Sequence, residues 1–304
     1  ADLIVAVDVK DLYGPLVELD RLTRTTKFMI PAGCKIAEIG YRDVSISKWS
    51  DEWQQLVEVD MQIIADSSVT LPLLADLVAQ KADGQRVHAR TEEIGVAHRE
   101  ARKRWQAEAR QDWDSSPIST GRLASEIWEA IKGEDWVLTA NTLEEWALKL
   151  WDFDQPYRHP GKSLGTSTQI GISLGVALAH KGTSRLVVDI QPDGDLMFDA
   201  GALWIAANQQ IPMLAVMYNN RAYYNDWEHQ IRLAHHRGTS VERASIGQAI
   251  SDPAPDFSTI ARGFGWHAEG PIERPDEIAP ALRRAIEAVK SGKPALVDTI
   301  TQFR

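Results

Sequence analysis

The sequence contains very little cysteine. Cys34 is the single cysteine among 304 residues, so no disulfide can form within the chain. A lone thiol is typical of a reducing compartment, and we expect the protein to act in the cytoplasm. Lys35 is the one basic residue beside Cys34, and this does not amount to an arrangement that activates a thiolate. We therefore interpret Cys34 as structural.

Long apolar runs and an excess of positive charge are also lacking. The longest apolar candidate, residues 171–179, has about half of the roughly 18 residues that a membrane helix needs, so we expect no membrane association. With 33 basic and 43 acidic residues, the net charge is -10, which argues against a nucleic-acid binder. Neither a Gly-x-Gly-x-x-Gly fingerprint nor a Walker-type loop is present, so a nicotinamide or ATP site has little support.

The first part of the chain has the pattern of an incomplete α/β domain. Residues 3–7 form a continuous apolar run, which is typical of a strand buried on both faces of a parallel sheet. Further strands are predicted at 35–39 and 61–65, and apolar residues at helical spacing predict a helix over 69–78. We expect residues 1–80 to be part of a larger domain. The chain would then be a fragment, or one subunit of a split enzyme.

A charged segment separates this region from the rest. Residues 81–114 mix both signs of charge and contain no proline, which predicts a solvated linker helix. Residues 115–304 then form a second domain, whose first helix Ser119 or Thr120 can cap. Strands and helices alternate through this domain, which indicates a doubly wound parallel sheet with helices on both faces. The predicted strands are 136–140, 186–190, 213–218 and 295–300, and the predicted helices are 142–150, 169–180, 198–208 and one carrying Ile278, Leu282, Ile286 and Val289.

Two loops after neighbouring predicted strands carry the candidate chemistry. Asp193 and Gly194 follow the strand 186–190, and Asn220 and Ala222 follow the strand 213–218. In such sheets, ligands bind beyond the carboxyl ends of the strands. A carboxylate, an amide oxygen and a backbone carbonyl suit Mg²⁺, and a diphosphate would complete its shell. Gly194 lets the chain pass close to a phosphate, which the N–H groups of the following helix would favour.

These residues resemble a known motif. Asp193-Gly194, with Asn219-Asn220 ending 27 residues after Asp193, is similar to the thiamine-diphosphate motif, which starts Gly-Asp-Gly and ends Asn-Asn. Residues 201–207 and Ile211-Pro212 resemble the same stretch in acetolactate synthases and benzoylformate decarboxylases. By this resemblance, residues 115–304 are the diphosphate-binding domain, and residues 1–80 are the back half of the central domain.

The resemblance also implies a set of site residues. The metal ligands would be Asp193, Asn220 and the carbonyl of Ala222, and the segment 164–171 would contact the aminopyrimidine ring of the cofactor. Cofactor contacts are expected at Thr166, Ser167, Thr168, Gln169, Asp193, Gly194, Asp195, Asn220, Ala222 and Tyr223.

The sequence departs from the family pattern at two places. Pro192 replaces the first glycine of the motif, which removes one N–H and stiffens the loop. The family also props the cofactor with a bulky apolar residue where this chain has Ser167, Thr168 and Gln169. Either Thr168 is the prop or the prop cannot be identified. Catalytic residues are not identified either.

Several other residues have two readings. His159 precedes the aminopyrimidine segment and is a candidate substrate-pocket residue. Tyr224 and Trp227 follow the metal loop and either border the active-site mouth or pack at an interface. His235 and His236 are adjacent, and adjacent histidines on a helix point in different directions, so we interpret them as surface residues rather than metal ligands.

The resemblance implies a thiamine-diphosphate- and Mg²⁺-dependent lyase or carboligase acting on a 2-oxo acid, similar to acetolactate synthase. The alternatives are a benzoylformate-type decarboxylase and a non-catalytic cofactor-binding subunit. Family members take an activating glutamate from the pyrimidine-binding domain of a neighbouring subunit, and nothing in this chain resembles that domain. We therefore expect an inactive isolated chain that acts as a homo-oligomer or with a complementary subunit. Whether FAD is bound is left undecided.

Overall fold

The structure is a computed structural model, and it describes residues 1–9, 11–20, 22–23, 25–41, 55–141, 143–159 and 167–303. The chain divides into two compact units, Ala1–Gly95 and Val96–Arg304. Within the described residues, no helix combines the length and the apolar character needed to cross a membrane.

The first unit is built on a small parallel sheet. Strands β1 (Leu3–Val7), β4 (Lys35–Ile39) and β5 (Met61–Ile63) pair in parallel in the order β1-β4-β5. The predicted strands at 3–7 and 35–39 are confirmed, and the third is shorter than predicted. The unit also contains three elements that the sequence did not predict, namely α1 (Tyr13–Leu16) and an antiparallel pair formed by β2 (Val17–Leu19) and β3 (Thr26–Phe28).

Two helices follow that sheet. Helix α2 (Ser67–Lys81) begins where the Asp66 side chain accepts a hydrogen bond from Ser68 N. None of its residues is buried, although its apolar residues recur at helical spacing. Helix α3 (Gly84–Ala109) lies within the segment predicted as a charged linker, and the boundary between the two units falls inside it.

The second unit is a five-stranded parallel sheet. Its strands lie in the order β6-β7-β8-β10-β9, and every adjacent pair is parallel. This confirms the predicted fold class. The strands are β6 (Trp136–Asn141), β7 (Leu186–Pro192), β8 (Leu214–Asn219), β9 (His267–Ile272) and β10 (Ala295–Ile300).

Helices cover both faces of this sheet because alternate strand residues point to opposite sides. Val188 belongs to a core with α4, α5 and α11, whereas its neighbour Val187 belongs to a core with α6, α8 and α10. The helices are α4 (Thr120–Ile131), α5 (Glu144–Leu150), α6 (Thr168–Ala179), α7 (Asp193–Phe198), α8 (Ala202–Asn208), α9 (Tyr224–Arg237), α10 (Phe257–Gly263) and α11 (Ile278–Lys290).

Local backbone features explain where α4 begins and why α7 and α8 are separate helices. Ser119 caps α4, and its hydroxyl accepts a hydrogen bond from Arg122 N. The helix predicted over 198–208 is present as α8, but its predicted start is wrong, because α7 ends at Phe198 and α8 starts at Ala202. Asp199 has a non-helical backbone (φ -147°, ψ 48°), which interrupts the helical path.

Three tryptophans pack together at the amino end of the sheet. Trp136, the first residue of β6, lies edge-on to Trp128 and Trp151, with ring centroids 6.1 and 5.8 Å away. Trp128 and Trp151 stack on each other at 6.0 Å. These rings are part of the core on the α4 side, and they lie at the opposite end of the strands from the predicted site.

Candidate functional site

The predicted metal-binding residues meet at the carboxyl edge of the second sheet. Strand β7 ends at Pro192, and Asp193 is the first residue of α7. The register pairs Pro192 with Tyr218, so the residues that follow the two strands lie beside each other. The sheet therefore brings the Asp193 turn and the Asn219-Asn220 loop together, as expected for neighbouring parallel strands.

Two side-chain oxygens converge at this edge. The N–H of Ala222 is shared by Asn220 Oδ1 at 3.0 Å and Asp193 Oδ2 at 3.2 Å. The other carboxylate oxygen of Asp193 accepts a hydrogen bond from Gly194 N at 2.8 Å. A carboxylate and an amide oxygen thus lie next to each other, which is the start of an oxygen-ligand site for a hard cation.

Because the Asp193 carboxylate is buried, a nearby cation would stabilise its ionised form. Its side chain is buried, and burial raises the pKa of Asp193 to about 6, partly offset by the N–H groups of Gly194 and Ala222. Across the described residues, no group of three or more His, Cys, Asp or Glu side chains could hold a metal ion. A cation at Asp193 would consequently depend on amide and carbonyl oxygens, water and a ligand phosphate, which is the usual environment of Mg²⁺.

The loop after β8 is held in shape by contacts on both sides. Arg221 has a left-handed backbone (φ 57°), and its N–H lies 3.3 Å from Asn219 Oδ1. Asn219 Nδ2 donates to Asp298 Oδ1 at 2.9 Å, and burial raises the pKa of Asp298 to about 6. Beyond the loop, Tyr223 N donates to Gln248 O at 2.8 Å. Residues 219–223 are therefore held in shape by hydrogen bonds within the protein.

Gly194 is required by the tight packing of that loop against α7. A Cβ atom at Gly194 would lie 2.6 Å from two ring atoms of Tyr223, which is too close for any real contact. The Tyr223 ring also lies against Phe198, with centroids 5.7 Å apart. Burial raises the pKa of the Tyr223 phenol, and Asp193 and Asp195 add to that shift. The close approach of a phosphate at Gly194 stays a prediction, and the close contact that the structure shows at this glycine is with the Tyr223 ring.

The predicted aminopyrimidine segment is described only in part. Thr166 lies outside the described residues, whereas Ser167, Thr168 and Gln169 form the start of α6. Ser167 is left-handed (φ 66°), and its N–H donates to Asp195 Oδ1 at 2.6 Å. The structure thus joins this segment to the first turn of α7.

Tyr224 and Trp227 form an aromatic cluster with a residue that the sequence reading missed. The Phe303 ring stacks on Tyr224 at 4.3 Å between centroids and lies 5.5 Å from Trp227. Phe303 follows β10, whose carboxyl end lies next to that of β8, and this adjacency is the signal that could have found it. His159 is half-buried directly before residues 160–166, which are not among the described residues. His235 and His236 are exposed, as predicted.

A doubly wound parallel sheet with an acidic turn and an asparagine loop at its carboxyl edge is typical of α/β proteins that bind a ligand at that edge. Residues 141–299 match the family model described as thiamine pyrophosphate enzyme, C-terminal TPP binding domain. The match covers more than half of the chain, so the chain belongs to the thiamine pyrophosphate (thiamine diphosphate) enzyme family. The predicted family is confirmed.

Curated relatives and solved structures agree with this family. The acetolactate synthase isozyme 3 large subunit of Escherichia coli K12 is 26% identical over 306 residues, which covers 98% of this chain and 47% of that protein. The benzoylformate decarboxylase of Pseudomonas aeruginosa is 28% identical over 130 residues, covering 43% of this chain and 22% of that protein. The chain spans about half the length of the first of these relatives, and less of the second.

One solved structure shows the same fold. It is the thiamine diphosphate-dependent 4-hydroxybenzoylformate decarboxylase of Rhodococcus jostii RHA1, with a TM-score of 0.62 and 17% sequence identity. The alignment covers 91% of this chain and 46% of that one. At this identity the likeness concerns the fold alone.

Proposed function

We propose that this chain binds thiamine diphosphate through Mg²⁺ held by Asp193, Asn220 and the carbonyl of Ala222. We further propose that it forms part of a lyase or carboligase that acts on a 2-oxo acid, similar to acetolactate synthase. The observation that supports this most is the convergence of Asp193 Oδ2 and Asn220 Oδ1 on the single N–H of Ala222.

The residues present fit the cofactor's diphosphate end. Asp193 is a buried carboxylate that a cation would stabilise, and Gly194 has no side chain to obstruct the turn. The N–H groups in the first turn of α7 favour an anion at the same edge of the sheet. When bound, thiamine diphosphate supplies an electron sink for cleavage or formation of a bond next to a carbonyl. The chain's own residues bind the metal and hold the two loops in place.

Two alternatives stay open, each favoured by a separate observation. The aromatic cluster of Tyr224, Trp227 and Phe303 favours a benzoylformate-type decarboxylase, because aromatic side chains suit an aryl substrate. A non-catalytic cofactor-binding subunit is favoured by Thr168, which is small and exposed where the family places a bulky apolar prop.

The proposal also covers the partners of the chain and its location. We propose that it acts as a homo-oligomer or with a complementary subunit that carries a pyrimidine-binding domain. A cytoplasmic location, expected from the single cysteine, stays a prediction, and FAD binding stays undecided.

The test is calorimetric titration of the chain with thiamine diphosphate, with and without Mg²⁺. We expect Mg²⁺-dependent binding, and a loss of at least about tenfold in affinity for Asp193→Ala because a metal ligand is removed. Asp199→Ala is the matched control: it removes the same charge from an exposed site six residues further along the chain, and affinity should stay unchanged. Binding that ignores both Mg²⁺ and the Asp193 substitution would contradict the proposed site.

A further inference from the structure

Asp195 uses both of its carboxylate oxygens inside the protein. Oδ1 accepts a hydrogen bond from Ser167 N at 2.6 Å, and Oδ2 accepts one from Gln191 Nε2 at 3.0 Å. The Asp195 side chain is buried, and Gln191 is fully buried. Asp195 therefore links two other segments of the chain through both of its side-chain oxygens.

The link joins segments that lie far apart in the sequence. Ser167 precedes α6, where the cofactor's aminopyrimidine ring is expected, whereas Asp195 lies in the first turn of α7, two residues after Asp193. Gln191 extends the link into β7. Ser167 has a left-handed backbone, which a residue other than glycine adopts only when its surroundings enforce it. The hydrogen bond from Ser167 N to Asp195 supplies such a restraint.

We propose that Asp195 is a positioning residue that fixes the distance between the sites for the two ends of the cofactor. This inference rests on the proposed function. A ligand that touches both segments gains affinity when they are already held at the correct separation, because no ordering cost is left for binding. A ligand that touches the metal turn alone gains much less from Asp195.

The neighbouring glutamine provides a conservative variant. Among the described residues, Gln191 Oε1 has no hydrogen-bond partner. In Asp195→Asn, the new amide oxygen can accept from Ser167 N, and its NH₂ group can donate to Gln191 Oε1 once the glutamine amide turns over. Asp195→Asn should preserve the link, whereas Asp195→Ala removes it.

The experiment compares two ligands by calorimetry in the presence of Mg²⁺. For Asp195→Ala we expect about a tenfold loss of affinity for thiamine diphosphate and less than about a threefold loss for inorganic diphosphate, which reaches only the metal turn. Asp195→Asn should bind thiamine diphosphate within about twofold of the wild type. Without ligand, hydrogen exchange at the Ser167 amide should be faster in Asp195→Ala and unchanged in Asp195→Asn.

The outcomes separate this inference from the proposed function. If the wild type binds thiamine diphosphate and Asp195→Ala binds it equally well, the positioning role is wrong and the proposed function stands. Equal losses for both ligands would also overturn it, because Asp195 would then support the metal turn alone. If the wild type binds no thiamine diphosphate with Mg²⁺, both proposals fail.

Discussion

Three of the buried carboxyl groups in or beside the second sheet have a raised pKa, and burial is the main cause in each. It raises the pKa of Asp189 to about 8 and those of Asp193 and Asp298 to about 6. Asp298 accepts a hydrogen bond from Asn219, and Asp193 faces the proposed cation site. Asp189 is fully buried beside Ser173, and the charge of Asp195 raises its pKa further. At neutral pH, Asp189 is therefore mostly protonated.

This makes Asp189 a source of pH-dependent stability. Its pKa is higher in the folded state than in the unfolded state, so it binds its proton more tightly when folded. Its stabilising contribution is complete below about pH 4 and declines as the pH rises to about 8, by at most about 1.4 kcal/mol per pH unit. Asp189→Asn is uncharged at every pH. The wild type should therefore lose stability relative to Asp189→Asn across that range, as measured by urea unfolding at several pH values.

The difference in unfolding free energy between the wild type and Asp189→Asn isolates the contribution of Asp189. Asp193 and Asp298 titrate in both, so their contributions cancel. Asp199→Asn, an exposed acid, is the control, and its stability should run parallel to that of the wild type. A constant gap between wild type and Asp189→Asn from pH 4 to pH 8 would show that Asp189 is ionised in the fold.

At the level of the elements, the first turn of α7 is packed directly against the loop after β8. Gly194→Ala would push a methyl group into the Tyr223 ring, and we expect a loss of about 1–3 kcal/mol in unfolding free energy together with weaker cofactor binding. Thermal and urea unfolding measure the first effect, and calorimetric titration the second.

Two variants check the cause of that loss. In the background of Tyr223→Ala, Gly194→Ala should cost much less, because the ring that it meets is gone. Gly175→Ala, at an exposed position in α6 where a Cβ would meet nothing within 4 Å, should be neutral or stabilising by up to about 1 kcal/mol. If Gly194→Ala lowered the unfolding free energy by the same amount without the Tyr223 ring, this explanation would be contradicted.

Prediction from sequence succeeded for elements whose pattern is unambiguous. Strands β7 and β8 are buried along almost their whole length and mostly apolar because both faces of a parallel sheet are covered, and their positions were predicted to within two residues. Strand β9 was missed because it contains Gly270-Pro271 and is largely half-buried. Helix α9 was missed because its only buried residue is Ala234, which leaves no apolar stripe.

The candidate site was likewise predicted only in part. Asp193 and Asn220 could be predicted because strand order places the ends of neighbouring parallel strands together. The Asn219–Asp298 pair joins residues 79 positions apart, and no local pattern signals such a contact. The same holds for the link from Ser167 to Asp195, since a residue's hydrogen-bond partners depend on packing that only the folded chain establishes.

At the scale of the whole molecule, the chain corresponds to about half of its relative from E. coli K12. The family resemblance assigns the activating glutamate to a pyrimidine-binding domain that this chain does not resemble. We expect the chain alone to release no CO₂ from 2-oxo acids. Turnover should appear when a polypeptide corresponding to the remaining half of its relatives is added, because that polypeptide would supply the missing acid–base group.

A coupled assay of CO₂ release against the concentration of the added polypeptide measures this effect. Asp193→Ala with the same addition is the control and should stay inactive. Turnover by the chain alone would show that the activating group is already present within it.

Tryptophans near the two ends of the second sheet provide two different optical signals. Trp128, Trp136 and Trp151 are close enough for their electronic transitions to couple, which produces near-ultraviolet circular dichroism that depends on core packing. Trp227 lies near the opposite edge of the sheet, in the aromatic cluster after the metal loop. Loss of the coupled signal therefore reports unfolding of the core. The Trp227 part of the emission, taken as the difference between the wild type and Trp227→Phe, reports events at the cofactor edge. Together, the two measurements tell a variant that no longer folds from one that folds and no longer binds.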